Sequence, residues 1–174
     1  MRELLIVLAL LTAGKAWSAG LAAAARLNVG AEQLVVGQTA NAGLLDCKAS
    51  AVQHTIKRCA LKPALAATAS SVGRRIKSAA VTLNFQDTVI NMSLEFDAGL
   101  GADLLTGDYA AAIGSAPKTQ YWADDDHLYA SSIWIDGETE VEISRTVKGA
   151  SDGAARAFVS RLAGNPLLSP DDAR

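Results

Sequence analysis

Apolar and polar residues alternate along Ala80-Val81-Thr82-Leu83-Asn84-Phe85-Gln86. After Asp87-Thr88-Val89 the alternation resumes, with Ile90, Met92, Leu94 and Phe96 on one face and Asn91, Ser93, Glu95 and Asp97 on the other. Period-two patterning across a short break predicts two strands, each with one buried face, paired as an antiparallel hairpin in the middle of a sheet.

The other elements follow from weaker patterns. Residues 19–36 are Ala-rich and read as a lead-in or a short strand. Thr39 can cap a short helix through Leu44, Leu45 and Asp46 that ends at Cys47. Residues 53–61 alternate as a strand, with a helix as the rival, and Pro63 stops it because proline cannot donate to a ladder. Residues 64–73 have no clear period and read as a mobile loop, with or without one helical turn, and Arg74-Arg75-Ile76-Lys77 leads from it into the hairpin. At 102–113 the period becomes helical: Leu105, Tyr109, Ala112 and Ile113 form a stripe, Gly114 fits the C′ position and Pro117 prevents continuation. Strands are predicted at Thr119–Ala123, His127–Ile135 and Glu138–Val147, with Asp136-Gly137 as a tight hairpin turn. In the last strand Val141, Ile143 and Val147 point one way, and Glu140, Glu142 and Ser144 the other. A final helix is capped by Asp152, carries Ala155, Phe158, Val159 and Leu162 as its stripe, and ends at Gly164 before Pro166. The order is one αβββ unit used twice, plus a C-terminal helix. It predicts an α+β domain over 37–165, an antiparallel sheet with helices packed on one face, followed by a flexible tail at 166–174.

The ends place the chain. Met1-Arg2-Glu3 precedes the apolar run Leu4–Leu11, and small residues follow at Ala16 and Ser18. This is the pattern of a secretory signal peptide over 1–18, cleaved after Ser18. The run falls short of the ~20 apolar residues of a membrane span. No cysteine follows closely enough to carry a lipid anchor. The remainder is long enough for one domain burying roughly 70% of its unfolded surface. In an exported chain, Cys47 and Cys59 favour a mutual disulfide over two free thiols, and closing that loop stabilises by about 3 kcal/mol.

Leu34-Val35-Val36-Gly37-Gln38-Thr39 before the first helix, the cysteine pair joining that helix to its strand, and the motif from Tyr109 through Gly114 and Pro117 to Trp122 carry a resemblance in layout. The arrangement over 34–147 resembles small exported α/β repeat proteins of the β-lactamase-inhibitor-protein kind. It is also similar to the small lipoproteins of outer-membrane protein assembly.

Candidate chemistry is sparse. The sequence carries no nucleophile elbow, phosphate loop, zinc spacing or dinucleotide fingerprint, and no cofactor is expected. His127 follows Asp124-Asp125-Asp126, which reads either as a solvated turn or as an acid–base group. His54 is flanked by Gln53 and Thr55 on the predicted strand. Tyr121, Trp122, Tyr129 and Trp134 gather around the last strands. Trp122 is the interface candidate and Trp134 the core candidate. The chain has a net charge of −2, and that charge is segregated. Residues 48–86 carry Lys48, Lys57, Arg58, Lys62, Arg74, Arg75 and Lys77 and no acidic residue, whereas residues 87–142 are acidic apart from Lys118. Such blocks either steer partners or neutralise each other across the folded sheet. Nucleic acid is excluded as a partner class, since the chain is acidic and its basic block lacks interleaved aromatics.

The resulting expectation is a secreted or periplasmic, non-enzymatic binding protein. It would recognise a protein or an anionic envelope surface, and could inhibit a secreted enzyme. Arg74, Arg75, Lys77, Trp122, Asp124, Asp125 and Asp126 are its candidate binding residues. The alternative is a small secreted hydrolase or metal-dependent enzyme using the Asp124–His127 turn.

Overall fold

The computed structural model of the chain describes residues 19–49, 56–97, 99–124, 126–148 and 155–162. Eleven strands among them form one antiparallel sheet, so the architecture is mainly β. In chain order these are β1 (Arg26–Val29), β2 (Glu32–Val35), β3 (Leu45–Ala49), β4 (Ile56–Leu61), β5 (Ala69–Ser71), β6 (Arg74–Asn84), β7 (Val89–Phe96), β8 (Lys118–Ala123), β9 (Leu128–Ile135), β10 (Thr139–Lys148) and β11 (Arg156–Arg161). Helical residues are few: 19–24 (α1), Pro63–Ala66 (α2) and Ala102–Ile113 (α3), with a 3-10 turn at Ala42–Leu44. The α+β reading, with two αβββ units and a C-terminal helix, is therefore corrected.

The central hairpin is the predicted one. β6 pairs with β7 from Ile76 to Leu83. Its other edge is shared, Arg74 and Arg75 pairing with β5 and Ala80–Asn84 with β4. The path across the sheet runs β2-β1-β5-β6-β7-β11-β10-β9-β8, with β3 and β4 branching from β6. The last strand among the described residues, β11, thus lies between β7 and β10 and joins the two halves.

Two predicted helices are strands or turns. The segment at 39–46 makes only the 3-10 turn Ala42–Leu44, whose cap is Asn41: its Oδ1 accepts from Gly43 N at 2.8 Å. Thr39 instead bridges to Thr88, and Cys47 sits within β3. There it lies directly opposite Cys59 of β4 and is disulfide-bonded to it. The bond staples two adjacent strands rather than a helix end to a strand.

The predicted helix at 155–162 is β11. Ala155, Ala157 and Val159 are buried in alternation, and Phe158 lies on the opposite face. Small residues here satisfy both periods, and the two open edges of β7 and β10 decide for the strand. Asp152, Gly164 and Pro166, the tail 166–174, the leader 1–18, His54 and Asp125 lie outside the described residues.

Helix α3 matches its prediction in extent. Leu105, Tyr109 and Ile113 are buried, Asp103 lies in the first turn, and Gly114 adopts the left-handed conformation with its N–H on Ala110 O. Ala112 of the predicted stripe is exposed. α3 packs on the face of the sheet that carries Trp134, Val141, Ile143, Leu94, Phe96 and Val159, and these belong to one core cluster with it. Tyr109 and Trp134 lie 6.2 Å apart, and Trp134 Nε1 donates to Ser115 O at 3.0 Å. Trp134 is thus a core residue.

Burial and a hydrogen bond to Ser71 fix Tyr109. The burial pushes its phenol up to about 12, and the Ser71 hydrogen bond offsets this only in part.

The core also takes residues from the Ala-rich lead-in, namely Leu21, Ala24 and Ala25. Gly20 packs so closely on α3 that a Cβ there would lie 2.2 Å from Ile113 O. Bulges turn two residues away from the faces that strict alternation assigns them. The β6–β7 register slips at Ile90, which puts Val89 rather than Ile90 into the core cluster. The β10–β9 register slips at Val147, which leaves that side chain exposed.

Candidate functional site

The face of the sheet opposite α3 is polar, and the register orders it into rows. One row runs Lys118, Ile133, Glu142, Phe158, Ser93 across β8, β9, β10, β11 and β7; the next runs Gln120, Ser131, Ser144, Arg156, Glu95. A third pairs Trp122, Tyr129 and Thr146. Directly opposed side chains share a face and touch.

At the β8 edge this arrangement builds an ordered aromatic ledge. Trp122 stacks on Tyr129 with ring centroids 4.0 Å apart and planes 16° apart. Its Nε1 donates to Ser131 Oγ at 3.3 Å. Ser131 Oγ and Ser144 Oγ both donate to Glu142 Oε1, at 2.6 and 2.7 Å, and lie 3.0 Å from each other. With both hydroxyl protons aimed at the carboxylate, Ser131 Oγ is free to accept the indole N–H. Stacking and this donor fix the ring, which is nonetheless 49% exposed. A half-buried carboxyl completes the acidic side of the face. Burial, and then the neighbouring Glu142 charge, push Glu140 above the ordinary carboxylate range.

The turn beside the ledge is held by Asp124. Its Oδ1 accepts from Asp126 N and His127 N at 3.1 and 2.8 Å and lies 3.2 Å from His127 Nδ1; its Oδ2 accepts from Tyr129 OH at 3.1 Å. The backbone N–H of Asp126, aided by those of the other donors, holds this carboxyl below the usual range. Asp124 is therefore committed to the turn and to orienting Tyr129, and Asp126 is exposed. Among the described residues no three His, Cys, Asp or Glu side chains gather into a cation-binding group. A cavity of about 100 Å³ on the same edge is lined by Ala116, Lys118, Ile133, Trp134 and Ile135 and contains neither Asp124 nor His127.

The basic candidates lie elsewhere and in another setting. Arg74, Arg75 and Lys77 belong to strand β6, not to a loop. Five strand spacings, roughly 24 Å, separate β6 from β8. Each of the three meets an acidic partner. Arg74 is bidentate on Asp108 at 2.6 and 3.0 Å, Arg75 reaches Asp97 at 3.8 Å, and Lys77 reaches Glu95 at 2.6 Å. Lys57 pairs with Asp87 at 2.6 Å in the same way. The Asp108 carboxylate raises the Arg74 guanidinium further, and Lys77 lowers Glu95. These four pairs join the basic stretch of sequence to the acidic one, so Lys57, Arg74, Arg75 and Lys77 of the basic block are each matched by a carboxylate of the acidic block.

Sequence reasoning identified Trp122 and the acidic turn but not Ser131, Glu142 and Ser144 as its support. The polar side of β10 was visible as Glu140, Glu142 and Ser144, yet only the register brings Ser131 against them. The chain matches no family model, no characterised protein and no solved structure. No helix among the described residues is long and apolar enough to cross a membrane.

Proposed function

We propose that the chain is a secreted or periplasmic, non-enzymatic binding protein of the cell envelope that recognises another protein at the β8 end of its sheet. The carrying observation is the exposure of β8. All six of its residues are exposed, Tyr121 at 65% and Trp122 at 49%, on the last strand of the path. Aromatic rings held in place by neighbours lose little entropy on docking and are the usual anchors of protein interfaces. A protein is favoured over an anionic surface, because Arg74, Arg75 and Lys77 are already paired with carboxylates. Inhibition of a secreted enzyme is a narrower form of this reading. Export is supported by the leader pattern, and cleavage after Ser18 would leave the packed residues Leu21 and Ala24 on the mature chain.

The test is quantitative capture from an envelope extract of the host. A bound protein recovered with the parent chain and with Arg75→Ala, but at least tenfold less with Trp122→Ala, is the expected result. Equal recovery with Trp122→Ala rejects this surface.

A further inference from the structure

The β8 edge is complementary to a second copy of itself. Antiparallel pairing of two β8 strands about a two-fold axis normal to the sheet keeps the polar faces on one side, so the residues that meet must share a face. The turn bond from Asp124 N to His127 O sets the phase of the β8–β9 ladder. Bonded pairs alternate from there without a register shift, which leaves the N–H and C=O groups of Thr119, Tyr121 and Ala123 pointing outward. With Tyr121 on the axis, these outward groups pair with each other. Gln120 then lies opposite Trp122 of the second copy, and Lys118 opposite its Asp124. Lys118 has no ion pair among the described residues, and Asp124 is held ionised by its turn. The cation and the anion stand at opposite ends of one strand, so reversal of strand direction matches them twice.

We infer that the chain forms a two-fold dimer through β8, with Tyr121 on the axis and Lys118 of each copy against Asp124 of the other. The inference rests on the reading of β8 as the recognition edge and names how that edge is used. In the dimer the sheet is continuous, and two Trp122–Tyr129 stacks lie side by side on the same face. A partner with two matching sites is then held by both.

The experiment uses the whole chain expressed as encoded, with a single added cysteine. Cys47 and Cys59 are bonded to each other, so an added thiol finds its counterpart only in a second copy. Under mild oxidation Tyr121→Cys should give a disulfide-linked dimer, and Gln120→Cys should not, because Gln120 faces Trp122 rather than itself. In sedimentation equilibrium the parent chain should dimerise reversibly. Lys118→Glu should weaken the association by about tenfold, since each reversal counts twice, and the parent dimer should loosen as salt rises. A chain that stays monomeric at every concentration, or cross-linking by Gln120→Cys as ready as by Tyr121→Cys, overturns the inference. Partner capture that needs Trp122 in a monomeric chain would leave the proposed function standing alone. Dimerisation with capture indifferent to Trp122 would remove the function and keep the dimer.

Discussion

Ala157 separates the strand reading of 155–162 from the helical one. On a helix whose stripe is Ala155, Phe158, Val159 and Leu162, position 157 points away from the core. In β11 it is fully buried, with Leu94 of β7 on one side and Ile143 of β10 on the other. Ala157→Asp places a carboxylate between two apolar side chains with no cation opposite it. An uncompensated buried charge costs about 3–5 kcal/mol, a large share of the 5–15 kcal/mol typical of a whole domain. At roughly 2–4 °C per kcal/mol for a chain of this size, the melting temperature should fall by about 6–20 °C. Phe158→Ser is the control. Phe158 is only half-buried and lies on the polar face between Ser93 and Glu142, so its loss should cost less than the Ala157 change. Thermal unfolding followed by circular dichroism measures both. A cost below about 1 kcal/mol for Ala157→Asp, together with a larger one for Phe158→Ser, would refute the register of β11.

Cys47→Ser should lower stability by about 2–4 kcal/mol, and thiol titration of the unfolded, unreduced parent should find no free thiol among Cys47 and Cys59. Reversal of Arg74, Arg75 and Lys77 to Glu should lower the melting temperature at low salt and do so less at high salt; an unchanged melting temperature would show that the pairs with Asp108, Asp97 and Glu95 contribute nothing. Glu140→Gln should raise the melting temperature at neutral pH. Its raised folded-state pKa means that the ionised form penalises the fold, a penalty absent below the unfolded value near 4.5 and fully present above the folded one, so the gain should vanish in denaturation scans at pH 4. Gly20→Ala should destabilise through its clash with Ile113 O, and a neutral result would reject the docking of residues 19–24 on α3.

How legible each element was depended on where its deciding contacts lie. β6, β7, α3, β9 and β10 are long periodic runs with local stops such as Gly114, Pro117 and Gly137, and their own residues settle them. Residues 45–49 and 155–162 are not settled locally. Leu45–Ala49 follows a capped turn and looks like the close of a helix until β4 is there to pair with it. Ala155, Ala157 and Val159 fit a strand as well as a helix, and β7 and β10, distant in sequence, choose between them. Bulges at Ile90 and Val147 are likewise invisible without the partner strand. The site was legible only in its exposed parts: Trp122 announces itself, whereas the Ser131–Glu142–Ser144 support exists only once β9 and β10 are in register.

The charge pattern shows why topology has to precede any reading of a surface. A basic segment followed by an acidic one suggests an outward field when the chain is imagined as a line. In this fold the two segments are consecutive elements, and consecutive elements lie side by side. The hairpin sets Lys77 beside Glu95, and the return through α3 sets Asp108 against Arg74. Part of the segregation in sequence therefore becomes pairing in space, and the charge available for recognition includes what topology leaves at an edge. Lys118 and Asp124 are such a remainder. They stand at the two ends of β8, next to the exposed rings of Tyr121 and Trp122, on the strand whose outer groups have no partner among the described residues. A free ladder edge attracts another strand whatever its sequence, and proteins that avoid such pairing place charged side chains or proline along it. In β8 the single charge is Lys118 at its first position, and none of its residues is proline. Its ends are opposite in sign, which penalises a parallel neighbour of the same sequence and favours an antiparallel one. The feature that makes β8 a docking edge thus also selects the orientation of what docks.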